Sequence, residues 1–194
     1  MNARALPTHK MNVEEFLAWA ERQPEGRFEL VDGEVVAISP ERVRHTIVKL
    51  EAAIALREAI RARGLPCQVF SDGVAVVIDD HRTREPDASV QCGVEADLDA
   101  LTLQAPSIVV GVVSPSSERD DSGVKLLDYF SVPTIQHYLV VYPEPRVRAV
   151  VHHYRDQGGI RTRAARPGEE IVLDPPGFSV AVDALLGPAV EARN

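Results

Sequence analysis

Arg84-Glu85-Pro86-Asp87-Ala88-Ser89-Val90-Gln91-Cys92 and, further on, Ser107-Ile108-Val109-Val110-Gly111-Val112-Val113-Ser114-Pro115-Ser116-Ser117 decide how this chain is read. Pro86 biases its neighbours towards extended backbone. From Asp87 the period is two, so Asp87, Ser89 and Gln91 share one face of a strand. The second stretch is nearly all β-branched from Ile108 to Val113, the pattern of a strand buried on both faces. A carboxylate entering one buried strand beside another is the framework of a metal-dependent phosphodiester cleavage site. A second carboxylate is looked for in the middle of the neighbouring strand, and Gly111 stands there.

Outward from this pair, the N-terminal side predicts a short helix opened by Asn12 with Glu15 three residues on, a capping signature. Phe28 to Ile38 reads as a hairpin turning at Asp32-Gly33. A two-residue turn sets Glu29 opposite Val36 and Val31 opposite Glu34. Glu29 and Glu34 then share the outer face, where solvated acids are the plain reading, and Phe28, Leu30, Val35 and Ala37 point inward. Glu41 to Arg63 is the longest helical pattern, closed by Gly64 and Pro66. Ile47, Leu50, Ile54 and Ile60 supply its apolar positions. His45 and Lys49 share one flank at i and i+4, either an ordinary polar flank or a face looking into a site.

The C-terminal side predicts a helix beginning near Ser114–Asp121 and running to about Phe130. It carries Lys125, for which an exposed pair with Asp121 is the plain reading. Gln136–Tyr142 and Val147–Tyr154 read as paired strands. His152 and His153 point to opposite faces and so cannot share one ion. A short strand near Ile160–Arg163 and a closing segment from Phe178 to Leu186 complete the chain.

Composition fits one soluble domain, with no apolar run near the ~18 residues of a membrane span and no secretory signal. A loose leader (1–11), a single domain (12–186) and a tail (187–194) are expected. Cys67 and Cys92 have no metal-ligand spacing and are expected as buried thiols in a reducing cytoplasm. The net charge of −8 opposes a wide grip on nucleic acid. Six arginines between Arg146 and Arg166 against the single acid Asp156 nevertheless allow a local basic face or, more plainly, a solvated strand surface. Only three lysines, Lys10, Lys49 and Lys125, stand against eighteen arginines; a lysine pKa can be moved, so each is a weak pointer to chemistry, and codon bias explains the scarcity equally well.

The order of these elements resembles the PD-(D/E)XK nuclease superfamily and, within it, a bacterial family of restriction-endonuclease-like proteins. Arg27-Phe28-Glu29-Leu30-Val31-Asp32-Gly33-Glu34, His45, Glu85-Pro86-Asp87, Val109 to Ser117, Lys125 with Tyr129, and His137 to Val141 carry the resemblance, which spans Asn12 to Leu186. It implies an α/β fold, a central mixed sheet flanked by helices and preceded by an N-terminal helix and hairpin. It also implies a divalent ion, Mg2+ or Mn2+, held by Asp87. Family members carry a glutamate at the position of Gly111. The superfamily lysine two residues on falls at Val113, so its role passes to Lys125. Glu34 is the candidate second ligand, and Glu29, His45, Ser114 and Asp121 are accessory candidates. Glu118 and Asp120 are further acids that could replace the missing one.

The expected function is Mg-dependent endonucleolytic hydrolysis of DNA, impaired to the extent that Gly111 leaves the site short of a ligand. The alternative is a catalytically degenerate nuclease fold that binds nucleic acid or protein. DNA as partner, no membrane, a homodimer and a cytoplasmic location complete these expectations.

Overall fold

A computed structural model describes residues 6–113, 123–144 and 147–188. The chain opens with α1 (Val13–Ala20), the hairpin β1 (Phe28–Val31) and β2 (Glu34–Ala37), and the long helix α2 (Val43–Arg63). Next come β3 (Cys67–Ser71), the hairpin β4 (Val76–Asp79) and β5 (Arg82–Arg84), β6 (Ala88–Cys92) and β7 (Pro106–Val112). The second half holds α3 (Val124–Ser131), β8 (His137–Tyr142), β9 (Ala149–Asp156), β10 (Gly159–Ala165), the hairpin β11 (Glu170–Leu173) and β12 (Phe178–Ala181), and α4 (Val182–Leu186).

Six strands form one mixed sheet in the order β10-β9-β8-β7-β6-β3, in which β7 and β8 are parallel and all other neighbours antiparallel. A parallel pair needs a crossover, and α3 lies within it. Both faces of the middle strands are covered, which explains their unbroken apolar runs. Val110, Val112, Leu139 and Val141 join α2, α4 and the β11–β12 hairpin on one side. Val109, Val113, Tyr138 and Val140 meet Val76, Tyr129, Phe130 and Ile135 on the other.

The face of α2 differs from the expected one. Val48, Ala52, Ala55, Leu56 and Ile60 are buried, whereas Leu50 is 58% exposed. Alanines allow a helix to lie close on a sheet, and that contact outweighs the larger side chains one position round. The rotation carries Lys49, beside Val48, into the interior with 6% of its surface exposed.

The capping box on α1 forms as expected, with Asn12 and Glu15 exchanging backbone bonds. So does the hairpin turn, with Asp32 at φ 51° and Gly33 at φ 81°. Leu30 and Val35 are buried with Met11 and Phe16, but Ala37 is exposed. The cysteines require a correction. The β3–β6 register sets Cys67 directly opposite Cys92, 4.1 Å apart at Cα, and the two form a disulfide rather than free thiols.

Candidate functional site

Asp87 sits where the chain enters β6. Its N–H donates to the Val110 carbonyl at 2.9 Å, which continues the β6–β7 ladder by one residue towards Gly111. Its Oδ2 accepts the N–H of Val112. The main chain of β7 thereby fixes the carboxylate, whose side chain keeps 16% of its surface exposed. Burial pushes its pKa up, against the opposing pull of Lys49, the Val112 N–H and His45.

His45 and Lys49 lie one turn apart on α2 and share a face, and Glu41, just ahead of the N-cap Arg42, reaches both of them with its carboxylate. Glu41 Oε2 lies 3.0 Å from His45 Nδ1. The other ring nitrogen, Nε2, donates to the carbonyl of Val112. Val112 thus binds Asp87 through its N–H and His45 through its C=O. The Lys49 ammonium lies 2.7 Å from Asp87 Oδ1 and 3.0 Å from Asp72 Oδ2, and also contacts Glu41 Oε1. Burial pulls its pKa down, but Asp87, Glu41 and Asp72 outweigh that and hold it above its ordinary value. Burial likewise works against Glu41 and Asp72, yet their cationic partners leave both carboxyls below their ordinary range.

Arg27, just ahead of β1, closes the group by donating to Asp72 at 2.9 Å and to Glu85. Four carboxylates (Glu41, Asp72, Glu85 and Asp87) therefore face two permanent cations, Lys49 and Arg27. The excess of negative charge is a setting for a further cation. Glu41, His45 and Asp87 each offer a ligand atom, and these atoms all lie within 4.8 Å of one another. No other such group of three occurs among the described residues. Two carboxylates and an imidazole suit a divalent ion, the imidazole favouring Mn2+ over the harder Mg2+.

Gly111 lies in β7, and a Cβ built on it would meet the Tyr138 hydroxyl at 3.0 Å. Glu34 is exposed on β2 and outside the convergent group. Glu29 Oε1 accepts the N–H of Glu85 at 2.8 Å and Oε2 lies 3.4 Å from Arg84, so this acid braces the Glu85-Pro86-Asp87 entry. Lys125 is half-buried on the first turn of α3. Ser114, Glu118, Asp120 and Asp121 lie outside the described residues. Asp128 of α3, 3% exposed, accepts from Arg84 at 2.8 and 2.6 Å and from Arg82 at 2.6 Å, tying α3 to β5 immediately before Asp87.

A family model described as "Putative restriction endonuclease", the Uma2 family, matches residues 13–184. The chain belongs to the Uma2 family. A curated relative, "Uncharacterized protein slr1290" of Synechocystis, is 27% identical over 93% of this chain and 94% of its own length. Among solved structures, the fold is similar to "a putative nuclease belonging to DUF820" from Anabaena variabilis. The TM-score is 0.69 at 16% identity, with 91% of this chain and 97% of that chain covered. This likeness carries the fold: a mixed sheet with helices on its faces, as in the restriction-endonuclease-like architecture.

Of the residues that converge in this Uma2 protein, the sequence singled out Asp87 and His45 but not Glu41 or Asp72, nor the contact of Lys49 with all three acids. The Glu41-x3-His45-x3-Lys49 spacing was the available signal. No helix among the described residues is long and apolar enough to cross a membrane.

Proposed function

We propose that this Uma2 protein is a divalent-metal-dependent endodeoxyribonuclease that hydrolyses DNA phosphodiester bonds at the Asp87 end of β6 and β7. The observation that supports this most is the convergence of Glu41, His45 and Asp87 beside two permanent cations. In this reading the three residues hold Mg2+ or Mn2+. When bound, such an ion activates water and neutralises charge on the phosphate.

The chain's own groups do the positioning. The β7 backbone anchors Asp87, and the Val112 carbonyl, by accepting from His45 Nε2, leaves Nδ1 as the ligand nitrogen. Lys49 and Arg27 present positive charge to a phosphate. Lys49 takes the role expected of Lys125, which stays the second candidate, and Glu41 takes the place expected of Glu34. The DNA substrate and a homodimeric assembly belong to the same proposal.

A second reading, binding of nucleic acid without cleavage, is favoured by Gly111, where no side chain supplies the family's strand carboxylate. Nicking of supercoiled plasmid with Mg2+ or Mn2+ separates the two. The first expects cutting by the wild type and none by Asp87→Asn. Salt-sensitive DNA binding without cutting by either protein would favour the second.

A further inference from the structure

Lys49 contacts two of the three residues that would hold the proposed ion. Its ammonium touches Asp87 Oδ1 and Glu41 Oε1, oxygens of two of the three convergent ligands. Its third partner, Asp72 on the β3–β4 turn, is outside the ligand group and 3.0 Å away. Arg27 also binds Asp72, at 2.9 Å, but is 3.9 Å from Glu41. Two cations of equal charge thus differ in position: Lys49 contacts the carboxylates of two candidate ligands, and Arg27 stands beside them.

The geometry points to Lys49 as a resident counter-ion that competes with the divalent metal for Glu41 and Asp87. Metal entry requires the ammonium to withdraw from both carboxylates, with Asp72 as the acceptor it retains. This rests on the metal-site reading above and adds a device to it: the site is charge-compensated at rest and opens to metal only when Lys49 moves. Ligand oxygens are hidden for as long as the ammonium holds them, so the observed metal affinity is the intrinsic one scaled by the fraction of molecules with Lys49 withdrawn.

The test is Mn2+ binding to the full chain without DNA, followed by calorimetry and by loss of the free Mn2+ electron-spin signal. Wild type is compared with Lys49→Met, Lys49→Gln, Arg27→Met and Asp87→Asn, and the Gln variant decides if the Met variant does not fold. If Lys49 is withdrawn in a tenth of molecules or fewer, removing it tightens Mn2+ binding by about tenfold or more. Arg27→Met, which removes a like charge without freeing ligand oxygens, changes the affinity much less, and Asp87→Asn abolishes binding. Equal tightening by the Lys49 and Arg27 variants, or none by Lys49, overturns the competition while leaving the metal site standing. Absence of Mn2+ binding in every protein overturns the metal-site reading and the competition together.

Discussion

Lys49 Nζ lies 2.7 Å from Asp87 Oδ1, joining the first turns of α2 to the start of β6. Neither residue is far exposed, at 7% and 16% of the side-chain surface. Each raises the cost of losing the other. Removing one member of such a pair leaves a charge in a poorly solvated place without its counterpart, which costs about 3–5 kcal/mol. Lys49→Met exposes Asp87, Glu41 and Asp72 to one another and is expected to lower stability by about 3 kcal/mol. Asp87→Asn in the same background recovers part of the loss. Urea unfolding of the two single variants and the double variant measures the coupling, and additive losses would show that the contact carries none.

Gly111 cannot simply be replaced by the glutamate expected at its position. A Cβ there comes within 3.0 Å of the Tyr138 hydroxyl, and Tyr138 is fully buried, its ring 4.9 Å from that of Tyr129. Overpacking of this kind costs roughly 1–3 kcal/mol, so Gly111→Glu is expected to destabilise and Gly111→Ala to do so less. Without the hydroxyl the remaining ring contacts are 3.4 and 3.6 Å, ordinary separations. Tyr138→Phe should therefore relieve much of the Gly111→Glu penalty. Thermal melts that are no better for the double variant than for Gly111→Glu would place the strain elsewhere.

What the sequence disclosed followed from local rules. Asn12 with Glu15, Asp32-Gly33 and Gly64 fix element ends within a few residues, and period-two and β-branched runs marked β6 and β7. The meeting of Glu41 with His45 and Lys49 was harder to see because it depends on the rotation of α2 and on the chain just ahead of it. Taking Leu50 rather than Ala52 as inward leaves the His45–Lys49 flank open between solvent and a site. Asp72 was beyond reach for another reason: its turn meets Lys49 only once β3 has paired with β6. The same pairing sets Cys67 against Cys92 across 25 residues of sequence, a relationship that depends on register and not on spacing.

That disulfide has a measurable consequence. Closing a loop of 25 residues restricts the unfolded chain, worth about 3 kcal/mol in a chain-entropy account. With no other cysteine in the sequence, thiol titration of the denatured protein should find none before reduction and two after. Reduction should lower the urea midpoint of the wild type and leave Cys67→Ser/Cys92→Ser unaffected. Two reactive thiols in unreduced protein would contradict the pairing.

A last expectation concerns acid, and it follows from His137 and His152. His137 Nε2 faces the carbonyl of Pro175 at 2.8 Å, so it carries the proton and donates. In the neutral ring Nδ1 then accepts, 2.9 Å from His152 Nε2, which must be the donor there. Both rings are buried and the arrangement is built for neutral imidazoles. Burial, with His137 and His153 adding to it, pushes His152 down to about 3, and burial lowers His137 as well. The unfolded chain takes up protons near the ordinary 6.5, whereas the folded one resists until far lower pH. The unfolded state therefore binds more protons in that window, and stability rises with pH through it. The contribution is complete above about 6.5 and drains away as the pH falls towards 3. Between pH 7 and pH 5, His152 alone should remove roughly 2 kcal/mol, at up to about 1.4 kcal/mol per pH unit. Urea midpoints across that range should fall in the wild type and fall less in His152→Gln. Equal slopes for the two proteins would show that this imidazole is protonated as readily inside the fold as outside it.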